Sequence, residues 1–288
     1  MLSIQEIHLM LKTLKKLKGH DFDKFIDEYT KILDDLAREV DLYNSQQIDQ
    51  LDKPKDWYLK DLNWNHERRA SVYDPLLDKL IESKIFQFGK MGKSSGMYNS
   101  LEIGPGFGRY SRMFLAWRLN FYVDLLPMCE SKIKKLFNPK QHKYIKFYTT
   151  EKTECPHIPT NSCAFVFSWE TFPFFTQKHI KQYLKDIFRV VLPGGYCLIH
   201  YADCHYEKDL HEAQRGYWNF NTKDIMAEII ETTGYKIIEM DQFRPGANYC
   251  IFQKPGNLNP VLYKTIIPPS DGLRHGNEKR YGNKKNKI

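Results

Sequence analysis

The chain has 288 residues, 42% of them hydrophobic and 14% aromatic, which suits one large domain or a core with an appendage. Its net charge of +8 is uneven: residues 271–288 hold six cations and two anions, half of the excess, and the remainder is too mildly basic to imply a nucleic-acid partner by itself. The six cysteines form no C-x-x-C pair, which argues against a structural zinc site and a secreted disulfide framework, and no run approaches the roughly 20 apolar residues of a membrane span, so the expectation is a cytoplasmic protein with no membrane partner.

Residues 1–53 read as an N-terminal helical region. Ile4, Ile7, Leu11 and Leu14 step by three and four, and Asp21 is placed to cap a second helix carrying Phe22, Phe25, Ile26, Tyr29, Leu33, Leu36 and Val40. Such faces either pack on the core, as a lid over a site, or pair with a second copy in a homodimer. Lys53-Pro54-Lys55 marks a linker, and residues 54–255 follow as the main domain. Within it, Trp64, Arg69 and Tyr73 precede an amphipathic run from Pro75 to Ile81 and are candidate contacts for a ligand.

The stretch from Leu101 to Tyr110 organises the rest. A β-type run, Asn99 to Ile103, enters it, and a helix-type run, Arg109 to Leu119, leaves it. Gly104, Gly106 and Gly108 let the backbone turn sharply and let a ligand lie against bare peptide at a helix N-terminus. The dinucleotide fingerprint G-x-G-x-x-G would need glycine or alanine at position 109, which is Arg109. Instead the pattern is E-x-G-x-G-x-G, beginning at Glu102.

That pattern resembles motif I of the class I S-adenosylmethionine (SAM) dependent methyltransferases. The resemblance implies SAM as cofactor, with Glu102, Gly104, Gly106 and Gly108 at its amino-acid end. It extends over roughly residues 75–255. Asp124 ends the next strand, 20 residues after Gly104, where a carboxylate can accept both ribose hydroxyls; Leu125 is placed beside the adenine, and Glu151, after the third strand, near its amino group. Leu192-Pro193-Gly194-Gly195 resembles the family's helix-to-strand turn. Where the family usually has Asp before the fourth strand, this chain has Ala164.

From Asn99 onward strands and helices alternate: strands at Asn120–Val123, Tyr144–Tyr148, Phe165–Ser168 and Tyr196–Tyr201, with helices from Pro127 to Phe137 and from Lys178 to Val191. Asn221 or Thr222 caps a helix that runs through Thr233, and strands Lys236–Met240 and Tyr249–Gln253 form a hairpin-like pair. The expected fold class is α/β: a seven-stranded, mostly parallel, doubly wound sheet with an N-terminal helical extension. Residues 256–288 read as a peripheral arm ending in a flexible basic tail.

Ser168 and Trp169, at the end of the fourth strand, are candidate cofactor contacts by the same resemblance. Candidate general bases are Glu170, Asp203 and His205; the same three could ligate a metal, but their spacing is not diagnostic and no metal site is assigned, and His200 reads as buried within its strand. The segment Cys204 to Asn219 lies where acceptor pockets are often built. The Asp/Asn-Pro-Pro-Tyr/Phe motif of amino-directed methyltransferases is replaced by Ser168-Trp169-Glu170-Thr171. The expectation is methyl transfer to a small-molecule oxygen, a sugar or other hydroxyl compound. The alternatives are an RNA or protein acceptor docked through the basic tail, and a non-catalytic SAM-binding assembly protein.

Overall fold

The computed structural model describes residues 75–89 and 98–258. The helices expected over 1–53, the linker, Trp64, Arg69, Tyr73 and the basic tail lie outside the described residues. Among the described residues no helix is long and apolar enough to cross a membrane.

Helix α1 spans Pro75–Phe88 and leads to strand β1, Asn99–Ile103. Then come β2 (Leu119–Asp124), α2 (Met128–Lys135), β3 (Ile145–Thr149), β4 (Cys163–Ser168), α3 (Gln177–Val190) and β5 (Val191–Tyr201). Helices α4 (Glu207–Gln214) and α5 (Lys223–Thr232) precede β6 (Lys236–Gln242) and β7 (Asn248–Gln253). The sheet has seven strands in the order β3-β2-β1-β4-β5-β7-β6, and only the β5–β7 and β7–β6 pairs are antiparallel. This is the sheet expected from the sequence.

Burial explains the order. All residues of β1 and β4 are buried, as central parallel strands covered on both faces must be. The edge strands β3 and β6 alternate or stay half-exposed. In α3, Ile180, Tyr183, Leu184, Ile187 and Val190 recur at helical spacing and pack with Leu101, Ile103, Val166 and Ile199. Thr176 caps this helix by accepting the His179 N–H, and Thr222 caps α5 by accepting from Ile225. Phe165 and Phe167 alternate to the opposite face, where their rings meet Phe114, Trp117 and Tyr110. Each face of the sheet is thereby closed by its own layer.

Two local expectations are corrected. The run after the glycine loop is a 3-10 helix, Ser111–Ala116, rather than an α-helix. Few residues are available to carry the chain back beside β1, and a 3-10 turn rises about 2.0 Å per residue against about 1.5 Å in an α-helix. Arg118 N–H then bonds Tyr98 O, which starts β2 in register. Leu192-Pro193-Gly194-Gly195 does not precede β5 but lies inside it, as a register shift between the pairs Cys163↔Val191 and Phe165↔Tyr196. Lys254 brackets the irregularity: its carbonyl accepts from Gly194 and its N–H donates to Gly195 O.

Candidate active site

The parallel strands all end on one edge, and the residues singled out by sequence collect there. At the end of β1 the Gly104 N–H donates to Val123 O at 2.8 Å, with φ at +66°. A Cβ at position 104 would lie 1.9 Å from Thr171 Oγ1, so the loop after β1 and the loop after β4 touch through this glycine. Gly106, at φ +53°, points its N–H at Asp124 Oδ2, 3.0 Å away. Gly108 closes the turn by donating to Pro105 O. Arg109 and Tyr110, at the loop exit, both donate to Asp78 Oδ1 of α1 at 2.8 and 3.0 Å, which ties that helix to the loop.

Two carboxyl groups support the loop. Glu102 is 3% exposed and accepts Ser111 Oγ at 2.7 Å. Burial, reinforced by the nearby Asp124 charge and opposed by the Ser111 hydroxyl, pushes its pKa up to about 8. Asp124 accepts Gly106 N–H on one oxygen and Leu126 N–H, at 2.9 Å, on the other. Burial raises its pKa, against the opposing pull of these backbone donors. The Leu125 N–H and the Cys129 thiol also bond to it, so the carboxylate is held in place at the strand end while it orders the loop. Leu125 is half-buried beside it. Glu151 is exposed, on the turn that Thr150 N–H anchors to Asp124 O.

The loop after β4 is more constrained than its sequence suggests. Ser168 turns inward, its Oγ donating to Ile103 O at 2.9 Å, and so joins β4 to β1. Trp169 is buried in an aromatic group. It stacks on His200 with centroids 4.6 Å apart and meets Phe243 and Tyr110 at 6.0 and 6.3 Å. Glu170 adopts φ +56°. Its N–H donates to His200 Nδ1 at 3.0 Å.

Past β5, Asp203 is buried and its Oδ1 accepts the N–H groups of His205 and Lys223. The same oxygen lies 3.1 Å from His205 Nδ1, and the His205 side chain is 51% exposed. With Nδ1–H donating to Asp203, Nε2 presents its lone pair to solvent. Asp209, fully buried on α4, accepts Asp203 N–H and the Asn248 side-chain amide. Its pKa is pushed up to about 6 by burial. The sequence reading did not single out Thr171 or Asp209; their roles come from contacts with residues distant in sequence.

The donor set suits a cofactor with vicinal hydroxyls and a charged amino-acid end: bare glycine backbone on one side, a strand-end carboxylate on the other. Among the described residues no group of three or more His, Cys, Asp or Glu is arranged to hold a metal ion. Residues 101–199 match a family described as a methyltransferase domain. The chain is similar to a SAM-dependent methyltransferase from Mesorhizobium loti (12% identity, 58% of this chain and 95% of that one, TM-score 0.49). It is similar to another from Aquifex aeolicus (18% identity, 65% and 95%, TM-score 0.47). A TehB-like SAM-dependent methyltransferase from Corynebacterium glutamicum is also similar (13% identity, 69% and 99%, TM-score 0.49). No curated protein matches the sequence.

Proposed function

We propose that residues 101–199, which match a methyltransferase-domain family, use SAM as the class I superfamily does, and that this chain methylates an oxygen of a small-molecule acceptor, a sugar or other hydroxyl compound. The carrying observation is the Asp203–His205 pair, 3.1 Å apart at the same sheet edge as the glycine loop. When bound, SAM supplies an electrophilic methyl group on a sulfonium.

The residues supply the rest. Glu102, Gly104, Gly106 and Gly108 shape the loop against the amino-acid end of the cofactor, and Asp124 takes its ribose hydroxyls. Leu125 and Glu151 face the adenine side, and Ser168 and Trp169, both buried, support the end of β4 beneath the cofactor. His205 removes the acceptor's hydroxyl proton at Nε2, with Asp203 fixing its tautomer and stabilising the imidazolium that results. Glu170, on the adjacent loop, is the second candidate base. A hydroxyl needs such a base for efficient attack, whereas a neutral amine brings its own lone pair; this supports oxygen over nitrogen. Residues 54–255 form the catalytic domain, and residues 1–53 serve as a lid or a homodimer contact.

The test incubates the full chain with methyl-labelled SAM and a panel of hydroxyl compounds, amines, RNA and protein. Label on a hydroxyl compound supports the reading. Label only on RNA or protein, lost on deleting 271–288, overturns it in favour of tail-mediated docking.

A further inference from the structure

The parallel ladder between β4 and β5 ends at the pair Ser168↔Ile199. β5 runs on through His200 and Tyr201, paired on its other side with β7. Trp169, buried, and Glu170, half-buried, therefore leave the sheet with peptide groups that the ladder no longer serves. The Glu170 N–H meets His200 Nδ1 instead, at 3.0 Å. A ring nitrogen accepts only with its lone pair, so Nδ1 carries no proton and the ring is neutral, protonated at Nε2.

Three further observations converge on this bond. Glu170 is a non-glycine residue at φ +56°, a backbone state that persists only when its surroundings impose it. The His200 ring is 1% exposed, stacked on Trp169 at an interplanar angle of 18° and met edge-on by Trp218, so it cannot swing away from its acceptor role. The next residue, Thr171, occupies the space beside Gly104 that any side chain there would need. The turn is thus held at one end by an imidazole and at the other by the glycine loop.

We propose that His200 is a positioning residue of the methyl-transfer site: its Nδ1 replaces the ladder partner β4 loses after Ser168 and holds the Trp169–Glu170–Thr171 turn against Gly104. The role rests on the methyltransferase reading for its functional consequence, and on the bond alone for its structural one. His200 touches neither cofactor nor acceptor in this account; it acts through the residues that do.

The test compares His200→Asn, whose side-chain oxygen can accept the same N–H, with His200→Leu, which cannot. Calorimetry with S-adenosylhomocysteine should show His200→Leu weakened about tenfold and His200→Asn within about threefold of the wild type. Thermal unfolding midpoints should fall in the same order. Equal loss in the Asn and Leu variants overturns the proposal. Where His200→Leu does not fold, a long-range proton–nitrogen NMR spectrum of the wild-type chain decides: a bare Nδ1 supports the assignment and a protonated one overturns it. A wild-type chain that binds no S-adenosylhomocysteine overturns the methyltransferase reading, while the unfolding order and the NMR spectrum still decide the role of His200.

Discussion

Asp124 and Gly106 are joined by a hydrogen bond of 3.0 Å between a strand-end carboxylate and the middle peptide of the glycine loop. The carboxylate proposed to take the cofactor hydroxyls therefore also orders the glycine loop proposed to carry the cofactor. Removing it acts twice. Asp124→Ala should weaken S-adenosylhomocysteine binding by about 100-fold, the loss of charge-assisted bonds to ligand and loop together. Gly106→Arg, which places a long side chain at φ +53°, should do the same. Calorimetry with wild-type affinity in both variants would refute the cofactor assignment.

Gly104→Ala tests the contact between the two loops. The added Cβ meets Thr171 Oγ1 at 1.9 Å and must sit at φ +66°, so both the backbone and the neighbour resist it. The expected cost is about 2 kcal/mol or more, read as a drop of several degrees in the unfolding midpoint. An unchanged midpoint would show that the loops separate freely.

Stability should fall as pH rises through neutrality. Glu102 is raised from 4.5 to about 8 and Asp209 from 3.8 to about 6, so each holds its proton more tightly folded than unfolded. Between the ordinary carboxylate range and about pH 8 the native state binds more protons, and its stability is lost as pH passes through the folded values. Urea unfolding across this range checks the slope. Asp209→Asn should flatten the slope between pH 3.8 and about 6, and Glu102→Gln the slope between pH 4.5 and about 8.

His205→Ala should slow methyl transfer by about 10²- to 10⁴-fold, the span of general-base contributions. S-adenosylhomocysteine affinity should not change if His205 serves the acceptor, as proposed. Asp203→Asn should also slow transfer, because the imidazolium loses its countercharge. An unchanged rate in His205→Ala would pass the role to Glu170, where Glu170→Gln is the corresponding measurement.

Lys254 makes three hydrogen bonds with its ammonium group, to Asn161 Oδ1, Phe188 O and Val191 O at 2.8, 2.7 and 2.9 Å. All three protons are used, which lets one side chain join the end of α3, the start of β5 and the loop before β4. Lys254→Met leaves these acceptors without their donor. It should cost about 2–3 kcal/mol, measurable by denaturant unfolding, while leaving S-adenosylhomocysteine affinity unchanged.

Local chemistry was legible along the chain. Alternation of apolar runs with capped amphipathic segments placed all seven strands to within a few residues, because period and turn residues are short-range properties. The glycine spacing and Asp124 pointed to one sheet edge for the same reason: a strand followed by a turn puts its last residue at the crevice. What sequence alone could not decide was contact between separate strand ends. Thr171 against Gly104, and His200 Nδ1 beneath the Glu170 N–H, depend on the register of β1, β4 and β5, and register is set by packing of the whole sheet. The same holds for the 3-10 helix at Ser111–Ala116 and the irregularity at Leu192–Gly195, where the path length available and the backbone of Lys254 overrode local preference. The sequence determined the sheet and the glycine loop. The tertiary structure decided how the loop after β4 is held against them, because that geometry belongs to pairs of residues 30 and more positions apart.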